Sequence, residues 1–285
     1  MQHRRDVSTG TCPCNTAAFP FQKADEEIGA ALLKGGRFFA AEIDQMPLFS
    51  VHDTIHPYIS ARRGGIVMTP WQNMAERMVR EQIAARGIRS EGVLKAMMSV
   101  PRHLFLPPSL EESAWIDSPL PIGEDQTISQ PYIVAKMTEL LSPEEGEEIL
   151  EIGTGSGYQS AVLAAMGARV TSLERIRTLA ESSGKALAGL GYAVKVLWSD
   201  GTEGGRPEGP FHGVLVTAAA PELEEWWSEV LLPGGRLVVP LSVASGGQRM
   251  LLRVKIRGKN YDDTWHDYCR FVPLLKGRRG QEPEE

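Results

Sequence analysis

Five residues with a chemical use gather around one short stretch. Glu151 lies at the end of an apolar run, and Gly153, Gly155 and Gly157 alternate just behind it. Glu174 ends a second apolar run, Ala168 to Leu173. Glycines let a ligand approach the backbone closely, and a carboxylate at the tip of the second strand can accept both hydroxyls of a ribose. This is nucleoside-binding chemistry. The dinucleotide fingerprint would place its third glycine at 158, where Tyr158 stands. A nicotinamide-type ligand stays open, because Glu174 would serve its ribose equally well. So does a glycine turn with no ligand at all.

These residues need a strand, a tight loop, a helix and a second strand to hold them. Apolar runs at 148–152, 169–174, 193–198, 212–218 and 235–240 read as strands, and helical patterns lie between the first three. Ile176, Leu179, Ala180, Ser183, Leu187 and Leu190 mark one such helix face. Strands alternating with helices predict a parallel sheet with right-handed crossovers. Runs at 249–257 and 265–272, split by Gly258-Lys259-Asn260, predict an antiparallel hairpin at the sheet edge. Upstream, Trp71, Met74, Ala75, Met78, Val79 and Ile83 predict a helix closed by Gly87. Ser90 caps a second, carrying Val93, Leu94, Met97 and Met98 and ended by Pro101. Residues 101–130 read as loop. A helix follows from Pro131 to Leu141, and Ser142 is expected to cap a turn opened by Pro143.

Composition narrows the class. Hydrophobic content of 42% and charged content of 23% suit a globular chain. A net charge of −6 argues against nucleic acid as partner. No apolar run approaches the roughly 18 residues of a membrane span. Cys12, Cys14 and Cys269 form no disulfide framework, so the expected setting is the reducing cytoplasm. Cys12 with Cys14, and His52 with His56, are too sparse to make a metal site, and no metal is expected. Residues 1–68 read as an extension without sustained periodicity, 69–277 as the domain, and 278–285 as an acidic tail. Met68 is a possible natural start.

The glycine pattern Glu-x-Gly-x-Gly-x-Gly resembles the first motif of S-adenosylmethionine-dependent methyltransferases. That ligand carries no phosphate, so the loop needs no lysine, and its cationic groups suit a nearby carboxylate such as Glu151. Further segments extend the likeness: Arg80 to Ile88, Val100 to Phe105, Gln126 to Tyr132, Leu173 to Arg175, Asp200-Gly201, Val216 to Ala219, Pro233 to Val238 and Arg270 to Leu274. Together they resemble the bacterial protein-L-isoaspartate O-methyltransferase family. Gln126 to Pro131 is the most diagnostic, being no part of a generic cofactor fold. The departures are Ser199, His212, Ser242 and the pair Trp226-Trp227.

The resemblance implies a Rossmann-like class I methyltransferase sheet, mostly parallel with an antiparallel C-terminal edge and helices on both faces. It implies methylation of L-isoaspartyl carboxylates in damaged proteins, followed by succinimide formation. S-adenosylmethionine is the donor, S-adenosylhomocysteine the product, and the enzyme a monomer. Residue by residue, it assigns the cofactor to Glu151, Gly153, Thr154, Gly155, Gly157, Glu174, Arg175, Asp200 and Gly201. Ser129 becomes the catalytic positioning group, with Thr127, Ile128 and Gln130 at the substrate. Read without the resemblance, Ser129 is a helix cap, Glu174 a helix-start glutamate and Asp200 a turn residue. A carboxylate with a pKa near 4 is already a nucleophile at neutral pH, so no general base is expected. The competing readings are an O-methyltransferase for another carboxylate or a small molecule, and a silent binder. Thr217-Ala218-Ala219-Ala220-Pro221 replaces the Asn/Asp-Pro-Pro-Tyr motif of amino-group methylation, so that subclass is set aside.

Overall fold

The computed structural model describes residues 68–202 and 207–280. The extension before Met68, with Cys12, Cys14, His52 and His56, lies outside the described residues, as does the tail beyond Gly280.

The first helix, α1, spans Pro70–Met78, with a Thr69/Gln72 capping box and proline at its start. It widens into a π turn over Val79–Ile83 and tightens into a 3₁₀ turn over Ala84–Arg86. Gly87, left-handed at φ 99°, closes it as expected. The wider turn rotates Ile83 onto the buried face, whereas Met74 stays 44% exposed at the margin, against expectation. Helix α2, Glu91–Ser99, begins at Ser90, whose hydroxyl accepts from the Val93 N–H.

The stretch read as loop from 101 to 130 holds more order. Two 3₁₀ segments, Arg102–Phe105 and Pro108–Trp115, precede a small antiparallel pair, β1 (Leu120–Gly123) and β2 (Gln126–Ile128). Strands of three and four residues are too short to show a period of two. Helix α3, Pro131–Leu141, follows. Ser142 is its C-cap, left-handed at φ 48°, rather than the cap of a following turn.

The alternating part delivers β3 (Glu148–Ile152), α4 (Tyr158–Ala165), β4 (Arg169–Glu174), α5 (Arg177–Gly189) and β5 (Val194–Trp198). Then come β6 (Phe211–Val216), α6 (Glu225–Glu229), β7 (Leu231–Ser242), β8 (Gln248–Arg257) and β9 (Asn260–Cys269). The sheet order is β5-β4-β3-β6-β7-β8-β9. The first five in that order run parallel, and β8 and β9 form the antiparallel edge. Successive residues of β3 point to opposite faces. Ile149 packs with Met137 and Leu141 of α3 and Leu163 of α4, while Leu150 packs with Trp226 and Trp227 of α6. Both faces are therefore covered, which is why these strands read as unbroken apolar runs. Truncating fully buried Leu150 to alanine would cost about 2–5 kcal/mol. No helix among the described residues is long and apolar enough to cross a membrane.

Candidate active site

The chain passes from β3 outward to β4 and β5, then returns to β6 on the other side. In open α/β sheets the crevice at such a reversal, beyond the carboxyl ends of the strands, is where ligands bind. Here β3 ends in the glycine loop and β6 ends at Thr217. Strand β6 stops at Val216, two residues short of the expected 218, which releases Thr217 and Ala218 to line the crevice.

Thr217 ties the two strand ends together. Its N–H donates to the Ile152 carbonyl at 2.9 Å, and its hydroxyl lies 2.5 Å from the Gly153 carbonyl. This contact explains Gly153. At φ 99° a Cβ there would lie 2.4 Å from Thr217 Oγ1. Gly157 likewise makes room for protein, since a Cβ would meet Leu187 of α5 at 3.1 Å. Only part of the glycine pattern thus opens space for a ligand. Gly155, left-handed at φ 53°, lines the crevice, and a Cβ there would meet only Ile122, at an ordinary 3.6 Å.

Glu174 sits at the tip of β4, 5% exposed. Its two oxygens accept one backbone N–H each, from Gly155 and Ile176, both at 2.9 Å. Burial raises its pKa, against the pull of those hydrogen bonds. A carboxylate oxygen has two lone pairs, so each keeps one for a further donor. Glu151 lies deeper and is fully buried. Its Oε2 accepts from the hydroxyls of Ser160 and Ser172, the latter at 2.8 Å, and Ser172 in turn contacts Thr154 Oγ1 at 2.6 Å. Because Ser172 spends its one proton on Glu151, Thr154 is the donor in that contact. Glu151 Oε1 is buried without a hydrogen-bond partner. Burial pushes this carboxyl up to about 7.

Asp200 makes a tight turn. Its Oδ1 accepts from the Thr202 N–H and hydroxyl, and its Oδ2 from the Gly277 N–H at 2.6 Å. Burial raises the Asp200 pKa, but these hydrogen bonds outweigh it and hold the group below the usual range. The neighbouring Ser199 and Gly201, not Asp200, line the crevice. Arg175 donates to the Gly277 carbonyl, and Arg279 N–H to the Arg175 carbonyl. Those bonds lay the segment after β9 across the strand ends, with Leu274 N–H reaching the Ala219 carbonyl.

Three spaces join into one trench. The first lies between Glu174, Ile176, Ser199 and Gly201, beneath Pro273 and Leu274. The middle one runs between the glycine loop and Gln126 to Ser129. The third is an open groove of about 820 Å³ between α3 and the segment His266 to Val272. Thr127, Ser129 and Thr217 line both the middle space and the groove. Ile128 is buried in the core beneath. Ser129 does not cap α3; that position belongs to Gln130. Nor does the Ser129 hydroxyl make a hydrogen bond to any described residue. Gln130 instead donates to Asp117 at 2.6 Å.

Sequence reading missed the residues that hold this loop. Asp117 accepts from Gln130, from the Tyr132 N–H and from Arg86. Arg102, completely buried, donates to the Ala114 and Ser129 carbonyls, both at 2.8 Å. Burial lowers its pKa to about 10, so it stays charged at neutral pH. No local pattern marks either residue, because their partners lie 12 to 31 positions away. Thr217 lay in view but was read as strand.

A switch-point crevice with a glycine loop and a carboxylate at the tip of the second strand defines a nucleoside-binding α/β fold, and with Tyr158 in place of the third dinucleotide glycine it suits the class of S-adenosylmethionine-dependent methyltransferases. Known proteins narrow it further. The family model of protein-L-isoaspartate(D-aspartate) O-methyltransferase matches residues 73–279. A protein-L-isoaspartate O-methyltransferase of Methanospirillum hungatei JF-1 is 53% identical over 201 residues, 70% of this chain and 92% of that one. One from Methanoregula boonei is 48% identical over 219 residues, 75% and 99% of the two chains. The chain belongs to the protein-L-isoaspartate O-methyltransferase family. Among solved structures, a protein-L-isoaspartate O-methyltransferase aligns with a TM-score of 0.63 at 27% identity, over 71% of this chain and 65% of that one. A Plasmodium falciparum structure holding S-adenosyl-L-homocysteine aligns with a TM-score of 0.62 over 74% of this chain and 100% of that one. At 24% identity, that likeness concerns the fold.

Proposed function

We propose that this chain methylates the free carboxylate of L-isoaspartyl residues in damaged proteins, starting their repair through a succinimide. One observation carries the reading within the family. Ser129 and Thr217 stand where the crevice beside the glycine loop opens into a groove broad enough for a peptide.

The crevice fits S-adenosylmethionine, which supplies an electrophilic methyl on a sulfonium when bound. Glu174 keeps a lone pair on each oxygen for the two ribose hydroxyls. Gly155 carries no Cβ to obstruct the cofactor. The unpartnered Glu151 Oε1 lies buried behind the loop, and a cationic amino group bound there would favour its ionised form. Thr154 acts through its bond to Ser172, and Gly153 and Gly157 shape the loop. Gly201 and Ser199 wall the adenine side, and Arg175 holds the segment above it. Asp200 acts indirectly, its turn onto Thr202 and its bond to the Gly277 N–H setting the wall that Ser199 and Gly201 form.

The substrate carboxylate is ionised at neutral pH and needs positioning, not deprotonation. The Ser129 hydroxyl, free of any described partner at the junction, would donate to one of its oxygens and so orient the carboxylate for transfer. Thr127 lines the same junction. Gln130 contributes by fixing the loop on Asp117. A different carboxylate or a small acceptor would not require so open a groove. We read the enzyme as a cytoplasmic monomer acting on protein, without nucleic acid, membrane or metal. The catalytic domain is read as 69–277 with the strap through Arg279 that bonds Arg175 and Arg177 added to it, residues 1–68 as an extension and the remainder as a tail.

Analysis of the product tests the reaction class. A peptide product that releases methanol in mild base and passes through a succinimide supports ester formation. A base-stable methyl group would rule it out.

A further inference from the structure

The groove beside Ser129 carries positive charge in a chain whose net charge is −6. Its charged and imidazole side chains are Arg86, Lys136, His266, Asp267 and Arg270. Arg86 is committed: it pairs with Asp117 at 2.5 Å and lies over the Tyr132 ring at 3.5 Å. Asp267 and Arg270 are of opposite sign and both exposed, so solvent screens them. Lys136 remains. It is half-buried on α3 and makes no hydrogen bond or ion pair with any described residue. Burial and the Lys136 charge both lower the pKa of His266 across the groove, which keeps it neutral near pH 7.

A lysine whose stem lies partly buried along the groove wall and whose ammonium pairs with no described carboxylate is open to a ligand's carboxylate. Lys136 lies one turn beyond Tyr132 on the helix that follows the Ser129 loop. The Ser129 loop ends just before the start of that helix, and Lys136 lies five residues into it, about 7–8 Å beyond its start at 1.5 Å per residue. That is roughly two to three residues of extended peptide, at about 3.3 Å each.

We infer that the groove selects acidic segments, with Lys136 reading an Asp or Glu carboxylate two to three residues from the isoaspartyl residue. This rests on the proposed methylation of isoaspartyl peptides and adds a sequence preference to it. Because the cation lies away from the reacting atoms, the preference should appear in KM and not in kcat. Being partly exposed, it should also weaken with salt.

The test uses three isoaspartyl peptides alike except for Glu, Gln or Lys at the second and third positions on either side. The full chain should show a KM about three- to fivefold lower for the Glu peptide than for the Lys peptide, with similar kcat, a difference of the size of a single partly screened ion pair. In about 0.5 M salt the gap should largely close. Lys136→Arg should keep the preference, Lys136→Gln lose it and Lys136→Glu invert it, with thermal unfolding confirming that each variant folds. Equal KM values for the three peptides, or a preference unchanged in Lys136→Glu, overturn the inference while leaving the methylation reading intact. Methylation of none of them overturns that reading, and this one with it.

Discussion

Arg102 Nη2 donates to the Ser129 carbonyl at 2.8 Å from a guanidinium with no solvent exposure. The same side chain holds the Ala114 carbonyl and lies 4.8 Å from the Tyr158 ring centre. One buried cation thereby joins the 3₁₀ segment, the substrate loop and the first residue of α4. Arg102→Met leaves two carbonyls without their donor. We expect a stability loss of about 2–6 kcal/mol, from about 1–3 kcal/mol for each of the two unsatisfied buried groups. Turnover per folded molecule should fall further than cofactor affinity, because the loop carrying Ser129 is released. Denaturant unfolding and single-turnover kinetics together check this. Unchanged turnover in the folded variant would show that the loop holds itself.

Ser129→Ala should lower kcat while calorimetric cofactor affinity stays near wild type. The hydroxyl makes no hydrogen bond within the described residues and caps no helix, so stability should hardly change. Loss of one hydrogen bond to an ionised group corresponds to about 1.5–3 kcal/mol, or about ten- to a hundredfold in rate. Full turnover would remove the serine from the mechanism.

Glu174→Ala should weaken cofactor binding strongly. It removes the ribose acceptor and also the partner of the Gly155 and Ile176 N–H groups. Glu174→Gln retains an acceptor oxygen and should fall between alanine and wild type. Calorimetric titration with S-adenosylhomocysteine ranks the three proteins, and equal affinities would refute the ribose role.

Glu151 makes stability depend on pH. Its carboxyl is raised from 4.5 to about 7, chiefly by burial. Between those values the folded chain holds a proton that the unfolded chain has released. Stability from this group is therefore full below about pH 4.5 and is lost as pH rises through about 7, by about 3 kcal/mol. Glu151→Gln should flatten that slope and melt higher than wild type at pH 8. Parallel melting curves for the two proteins from pH 5 to 8 would contradict the assignment.

Trp227 links the departures from the family pattern to the site. Its indole N–H donates to the Gly201 carbonyl at 2.9 Å, and Trp226 donates to Thr202 at 3.2 Å. Gly201 walls the nucleoside side of the trench. Trp227→Phe keeps most of the buried area but leaves that carbonyl unpaired. We expect weaker cofactor binding with little change in kcat at saturation. An unaltered Kd would confine Trp227 to the core.

The sheet was legible because parallel strands covered on both faces appear as apolar runs such as Ile149 to Ile152. The glycine loop and Glu174 were legible because one strand-loop-helix unit places them within 24 residues. Asp117 and Arg102 were not, since what defines them is a partner distant in sequence. The roles of Gly153 and Gly157 were only half legible. Spacing showed that a side chain was unwelcome, but not that Thr217 and Leu187 occupy the space. His212 stands where an acid is common, yet its Nδ1 accepts the Glu148 N–H at 3.1 Å. A ring nitrogen there does what a carboxylate oxygen could.

The most direct measurement is transfer of labelled methyl from S-adenosylmethionine to two peptides of one sequence, one with L-isoaspartate and one with L-aspartate. Repair methylation predicts base-labile label on the isoaspartyl peptide alone. Label on both peptides equally, or on neither while cofactor still binds, would contradict it.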